Sequence, residues 1–137
     1  MESANFTSML RSIAKADLDF DTLALKVLLV TSSLSAANLD NWTTYADVDN
    51  EVVGSGYMAG GASQAFTLGT LDRVNRRQPI TYATIDSAWL VGSFAAAGAI
   101  IYKPTDILMH YIDFGGIKVC SAEPFVLTYD SPFYIQR

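Results

Sequence analysis

Three features of this chain have residue types that could do chemistry: one histidine, one cysteine, and the alternating carboxylates Asp47, Asp49 and Glu51. His110 stands between Met109 and Tyr111. A zinc site draws several ligands from His and Cys, and a chain with one of each cannot supply a Cys2His2-type set. For a serine-histidine-aspartate relay the sequence offers the histidine but no nucleophile elbow, the one local signature such a relay has in some folds. His110 therefore reads as structural, either hydrogen-bonded or exposed. Cys120 cannot form an intrachain disulfide. It lies among Val119, Ser121 and Ala122 with no activating motif, and reads as a small buried hydrophobe. Alternation of Asp47, Asp49 and Glu51 would bring three carboxylates to one side of an extended segment and invites calcium. The D-x-D-x-D-G spacing of a helix-loop-helix calcium site is missing, so these acids read as a solvated edge or as turn caps. No metal and no cofactor is expected.

Glycine is the next candidate. Gly54-Ser55-Gly56 and Gly60-Gly61 look at first like a phosphate cradle. A dinucleotide loop needs G-x-G-x-x-G between a strand and a helix, but Ala59 takes the last position and no amphipathic helix follows. A P-loop needs a lysine after its last glycine, and Ala62 stands there. Gly54, Gly56, Gly60 and Gly61 are expected instead to shape an irregular backbone path, because glycine reaches positive φ without a steric penalty. Arg73, Arg76 and Arg77 form the one local basic cluster, diluted by Asp72. The chain carries nine basic and fourteen acidic side chains and a net charge of -5. No basic stripe exists for a nucleic-acid backbone, so no direct nucleic-acid partner is expected.

The elements that would position these residues are mostly strands. Phe6, Met9, Leu10 and Ile13 share one helical face, which predicts a helix over 4–16 capped by Asn5 or Ser3. Asp19-Phe20-Asp21-Thr22 reads as a turn and Leu23–Thr31 as a buried strand, with Lys26 near one end. The polar segment 32–50 is long for a loop and carries Trp42, Tyr45 and Val48, with a short helical turn expected at Asn38–Asn41. Ala65–Leu71, Pro79–Ile85, Ala88–Val91, Phe94–Tyr102, Ile107–Phe114, Phe125–Tyr129 and Phe133–Gln136 follow as strands. Turns are expected at Asp72–Gln78, at Lys103-Pro104-Thr105-Asp106 and at Gly115-Gly116. Leu90–Tyr102 is apolar but too short for a membrane span of about twenty residues, so no membrane partner is expected. Met1-Glu2-Ser3 is acidic and no long apolar core follows, unlike a signal peptide. The expectation is one domain over 1–137: a mainly β antiparallel sandwich or jelly-roll-like barrel with one N-terminal α-helix.

The stretch Asp47-Val48-Asp49-Asn50-Glu51-Val52-Val53-Gly54-Ser55-Gly56-Tyr57 through Gly60-Gly61 resembles a family of small structural proteins of tailed bacteriophages. The likeness extends to the acidic turn at 17–22, to Leu25–Ser33, to Ala99-Ile100-Ile101-Tyr102-Lys103 and to Tyr111-Ile112-Asp113-Phe114-Gly115. The chain departs from that pattern in its apolar Leu90–Ala97 segment and its brief Gly116-Ile117-Lys118. The resemblance implies a virion protein, not an enzyme. It points to a capsid decoration (cement) protein assembled in the host cytoplasm and bound outside the head. Its expected partners are the major capsid protein or other virion proteins, and copies of itself in a small oligomer, with a trimer favoured. Trp42, Tyr45, Asn50, Glu51 and Tyr57 are the expected interface residues. The alternatives are a low-copy neck, tail or fibre-attachment component, and a carbohydrate-binding module using Trp42 and Tyr45 as an exposed coplanar pair.

Overall fold

Apolar residues in this chain come in short runs bounded by turn formers, and runs of that kind are buried most readily as strands. In the computed structural model, which describes residues 2–15, 18, 20, 23–104, 107–130 and 132–136, the order is β1 (Glu2–Asn5), α1 (Thr7–Ala14), β2 (Leu25–Val30), α2 (Ala36–Asn41), a 3-10 turn (Tyr45–Asp47), β3 (Ala62–Gln64), β4 (Phe66–Leu68), β5 (Arg77–Tyr82), β6 (Ile85–Lys103), β7 (Ile107–Leu127) and β8 (Phe133–Gln136). Five strands form one sheet in the order β1-β7-β6-β2-β3, and three form a second in the order β4-β5-β8. Every pairing between these strands is antiparallel. The protein is thus mainly β and sandwich-like, as its sequence leads one to expect.

β2 explains why the large sheet is covered on both sides. Its sequence, LKVLLV, does not alternate polar with apolar residues, so neither face can remain in water. Val27 and Leu29 point into a core shared with Ile80, Tyr82 and Phe133 of the small sheet. Leu28 and Val30 point the other way, into a second cluster with Phe6, Ile100, Tyr102, Leu108 and Tyr111. The polar segment after β2 covers that second cluster with Leu34, Leu39, Trp42, Tyr45 and Val48. These five side chains are partly buried, and each apolar contact adds to stability in proportion to the area it removes from water, so this segment is anchored at several points.

Several boundaries differ from the sequence expectation. The helix expected over 4–16 spans only Thr7–Ala14, and residues 2–5 pair with β7 instead. Phe6 is its N-cap, with no side-chain capping bond, so neither Asn5 nor Ser3 has that role. Ala16, Asp17, Asp19, Asp21 and Thr22, the end of the expected helix and most of the acidic turn, lie outside the described residues, as do Thr105 and Asp106. α2 begins earlier than the expected 38–41 turn because Ser35 caps it: the Asn38 N–H donates to Ser35 Oγ at 3.2 Å and the Ser35 N–H donates to Asn38 Oδ1 at 2.8 Å. This reciprocal cap satisfies two otherwise orphaned donors. Gly115-Gly116 is not a turn between strands. It lies within β7, which advances from Asp113 to Lys118 while β6 moves only from Gly98 to Ala96. The extra residues are absorbed as a bulge, with Gly115 at φ 76°.

β6 and β7 therefore form one long hairpin. Its proximal part is flanked by β1 and β2. Its distal part, roughly 85–97 against 118–127, runs on beyond both. There Trp89 pairs with Phe125 and Phe94 with Cys120, all buried on the inner face.

Candidate functional site

The segment after the 3-10 turn takes a path that follows from what it must cover. The Thr31 N–H donates to the Asn50 carbonyl at 2.8 Å and the Val52 N–H donates to the Leu29 carbonyl at 2.9 Å, so residues 50–52 extend the sheet along β2. β2 then ends opposite Gly98, and Ser55 takes over its lane beside β6: the Ser93 N–H donates to the Ser55 carbonyl at 2.9 Å. Such a close lane change leaves no room for side chains. Gly56 has φ 82°, and a Cβ there would lie 2.2 Å from the Val91 carbonyl oxygen. At Gly61, φ is 80° and a Cβ would lie 1.8 Å from the Val27 carbonyl oxygen. An L-residue at either position would meet both strain and backbone. Gly60 also has positive φ, while a Cβ at Gly54 would crowd Ser93 and Phe94.

Glu51 fastens this loop. Its half-buried carboxylate accepts a short bond from the Tyr45 hydroxyl on one oxygen. The other oxygen accepts from the Tyr57 hydroxyl and from the Gly60 N–H, both at 2.7 Å. The Tyr57 oxygen in turn accepts the Leu29 N–H at 3.0 Å, and the Tyr102 hydroxyl donates to the Gly60 carbonyl at 2.7 Å. Three donors converge on one ionised group, the arrangement in which hydrogen bonds are strongest. The hydrogen bond to Glu51, then burial, pushes the Tyr45 phenol up to about 12. Burial, then the same carboxylate, raises Tyr57 as well. Both phenols therefore stay protonated at neutral pH and act as donors, not as bases. Ring contacts seat them: Tyr45 stacks on Tyr102 with centroids 5.5 Å apart, and Tyr57 meets Phe94 edge-on at 5.7 Å.

Of the five interface residues expected from sequence, Tyr45, Glu51 and Tyr57 are brought together in this knot. Asn50 lies beside it, its amide donating to the Ser32 side chain and carbonyl at 2.9 and 3.1 Å. Trp42 packs half-buried on the second core cluster with Tyr45, so these two rings do not form an exposed coplanar pair. The alternating acids do not converge. Asp47 accepts the Thr43 and Thr44 N–H groups at 2.9 and 3.1 Å, which lowers its pKa, and Asp49 is exposed. Among the described residues, no group of three or more His, Cys, Asp or Glu is placed to hold a metal ion. Asp72 binds the Arg77 guanidinium at 3.1 Å, and Arg77 also lies over the Tyr134 ring.

His110 belongs to a different centre. It is fully buried, and its Nδ1 lies 2.6 Å from the Tyr82 hydroxyl. With Tyr82 donating, the proton of the neutral ring sits on Nε2, which has no partner among the described residues. Burial lowers its pKa to about 3. The Tyr129 hydroxyl donates to Gln64 Oε1, and Gln64 Nε2 donates to the Ala65 and Ala83 carbonyls at 2.8 Å. Cys120 is buried, its thiol aimed at the Phe94 carbonyl oxygen at 3.5 Å. His110, Cys120 and Glu51 thus have separate partners. Sequence reasoning missed Tyr102 and Gln64, which supply hydrogen bonds from inside runs that read simply as apolar or polar.

Comparison with protein-family models, with curated proteins and with solved structures finds no match to this chain.

Proposed function

We propose that this chain is a structural protein of a tailed-bacteriophage particle. In this reading it is a decoration subunit that binds the outer head surface, works as a small closed oligomer and braces the capsid lattice. The observation that supports the reading is the fate of its most chemistry-like motif. The Asp47–Gly61 stretch, which carries the resemblance, uses its central acid internally: Glu51 accepts from Tyr45, Tyr57 and the Gly60 N–H. A motif built this way holds a surface shape, which suits a subunit that recognises other proteins. The exposed side chains nearby, Val53 and Met58, are apolar and give that shape a contact surface.

The test is copy number per purified particle, by quantitative mass spectrometry against the major capsid protein. Hundreds of copies are the expected result. A number matching a single symmetric ring would move the protein to the neck, tail or fibre attachment. Absence from particles would overturn the reading.

A further inference from the structure

The two long edges of the distal hairpin are treated differently. On the β6 side, Gly54–Gly56 lie against the strand, with Ser55 bonded to Ser93. On the β7 side, β1 pairs with residues 110–113 only. Beyond residue 113, no strand among the described residues pairs with that edge. Because Ser93 points its N–H away from β7, its cross-strand partner Ser121 points its own main-chain groups outward, and Val119 does likewise two residues earlier. The outward Ser121 N–H has only a long contact, 3.4 Å, to Glu123 Oε1. A bare edge of this kind is a template for another strand.

We propose that the β7 edge around Cys120 pairs antiparallel with the same edge of a second copy of this chain, about a twofold axis at Cys120, so that Val119, Cys120 and Ser121 lie opposite Ser121, Cys120 and Val119. Two breaks bound the segment. On one side is the Gly115-Gly116 bulge. On the other is Ala122, at φ 51° between the pairs Ser121–Ser93 and Glu123–Gly92, followed by Pro124, which has no N–H. Within that window, Val119 faces Ser121 of the second copy, and their outward N–H and carbonyl groups close the ladder.

Charge selects the same register. Between residues 114 and 128 the only charged side chains are Lys118 and Glu123. Lys118 pairs with Ala96, whose side chain is on the buried face, and Glu123 lies two residues before buried Phe125, so both belong to the inner face. With the axis at Cys120, each Lys118 falls opposite the Ala122–Glu123 bulge of the other copy. Two opposite-sign pairs form, and Glu123 gives up its long contact to Ser121 as the ladder takes over that N–H. Ile117 and Val119, 65% and 69% exposed, gain cross-strand neighbours.

This contact deepens the oligomer part of the reading above but stands on the fold alone. A monomeric chain that is still abundant in particles would defeat the contact and leave the virion reading intact. The test uses the full chain in sedimentation velocity, with Lys118→Glu, Glu123→Lys and the double exchange. Both side-chain changes are at exposed positions, so the fold should tolerate all three variants. The expected result is a dimer, about tenfold weaker in each single variant, the effect of two rim ion pairs, and restored in the double exchange. A monomer, a trimer, or a double exchange no better than the singles overturns the proposal. A second measurement fixes the register. Directly opposed residues that do not share ladder bonds have Cα atoms about 4.5 Å apart, within the range of about 4.4–6.8 Å that a disulfide spans. Copper-phenanthroline oxidation should therefore yield a covalent Cys120–Cys120 dimer, absent in Cys120→Ser.

Discussion

Glu51 and His110 each meet a tyrosine hydroxyl, yet the two centres handle polarity in opposite ways. Glu51 is half-buried and ionisable, and it collects Tyr45, Tyr57 and a main-chain N–H around one carboxylate. His110 is wholly buried between the two sheets, with Tyr82 as its one hydrogen-bond partner among the described residues. The location of each explains the difference. The loop over residues 50–61 has no continuous ladder, so a charged group with converging donors supplies the fastening that strands obtain from one another. The core between the sheets already has packing, and a charge there would be strongly disfavoured, so histidine is held neutral, with no partner for Nε2 among the described residues.

Removing the acid should do the most damage. Glu51→Ala strands the Tyr45 and Tyr57 hydroxyls and the Gly60 N–H, and we expect it to lower stability by about 3 kcal/mol, since bonds to a charged acceptor carry more than neutral ones. Urea unfolding measures this directly. A loss under about 0.5 kcal/mol would mean that the loop is held by its backbone path and that the contrast with His110 is misplaced.

Gly61→Ala separates those two supports. Its Cβ would strike the Val27 carbonyl while the Glu51 carboxylate is left untouched. The expected loss is about 2 kcal/mol, combining left-handed strain with forced movement of β2. Gly60→Ala should lose less: its φ is equally positive, but its Cβ would meet only the tip of Lys26 at 3.3 Å and the Tyr102 hydroxyl at 3.4 Å. Equal losses in the two variants would show that conformational strain alone governs the loop and that close approach to Val27 has no part in it.

Legibility from sequence divides along the same line as the two centres. The sheets could be read because β2 and β6 carry runs such as Leu25–Val30 and Ala96–Tyr102, whose burial follows from composition. Gly56, Gly60 and Gly61 could be read as backbone-shaping because residue type and clustering report conformation directly. The knot could be read only as a list. Tyr45, Glu51 and Tyr57 are six residues apart in each step, no secondary-structure period brings them together, and their meeting depends on a lane change from β2 to β6 that no local signal announces. The Gly115-Gly116 bulge was illegible for a related reason. Paired glycines mark a turn and a bulge equally well, and the choice is made by β6, which continues unbroken opposite them. β1 was hidden by the helical spacing of Phe6, Met9, Leu10 and Ile13, which sets a face but not a first residue.

The effect most specific to His110 is read against pH. Burial holds its ring at about 3 in the folded protein, against about 6.5 for an ordinary histidine. As pH falls through about 6.5 the unfolded chain takes up a proton and the folded chain does not, so protonation favours unfolding. The histidine's contribution is complete above about 6.5 and is lost progressively towards 3, with a slope approaching about 1.4 kcal/mol per pH unit. Asp47 and Asp72 have lowered pKa values, and their contributions disappear only further down, below the ordinary carboxylate value of about 4. Between about pH 6.5 and 5 the slope is therefore assigned to His110. His110→Gln keeps an acceptor for the Tyr82 hydroxyl and removes the titration. Denaturant unfolding of this variant should be nearly independent of pH in that window, while the loss below pH 4 persists. A variant that keeps the wild-type slope would show that His110 is already reachable by water and protons, and the distinction between a dry neutral centre and a fastened charged one would fall with it.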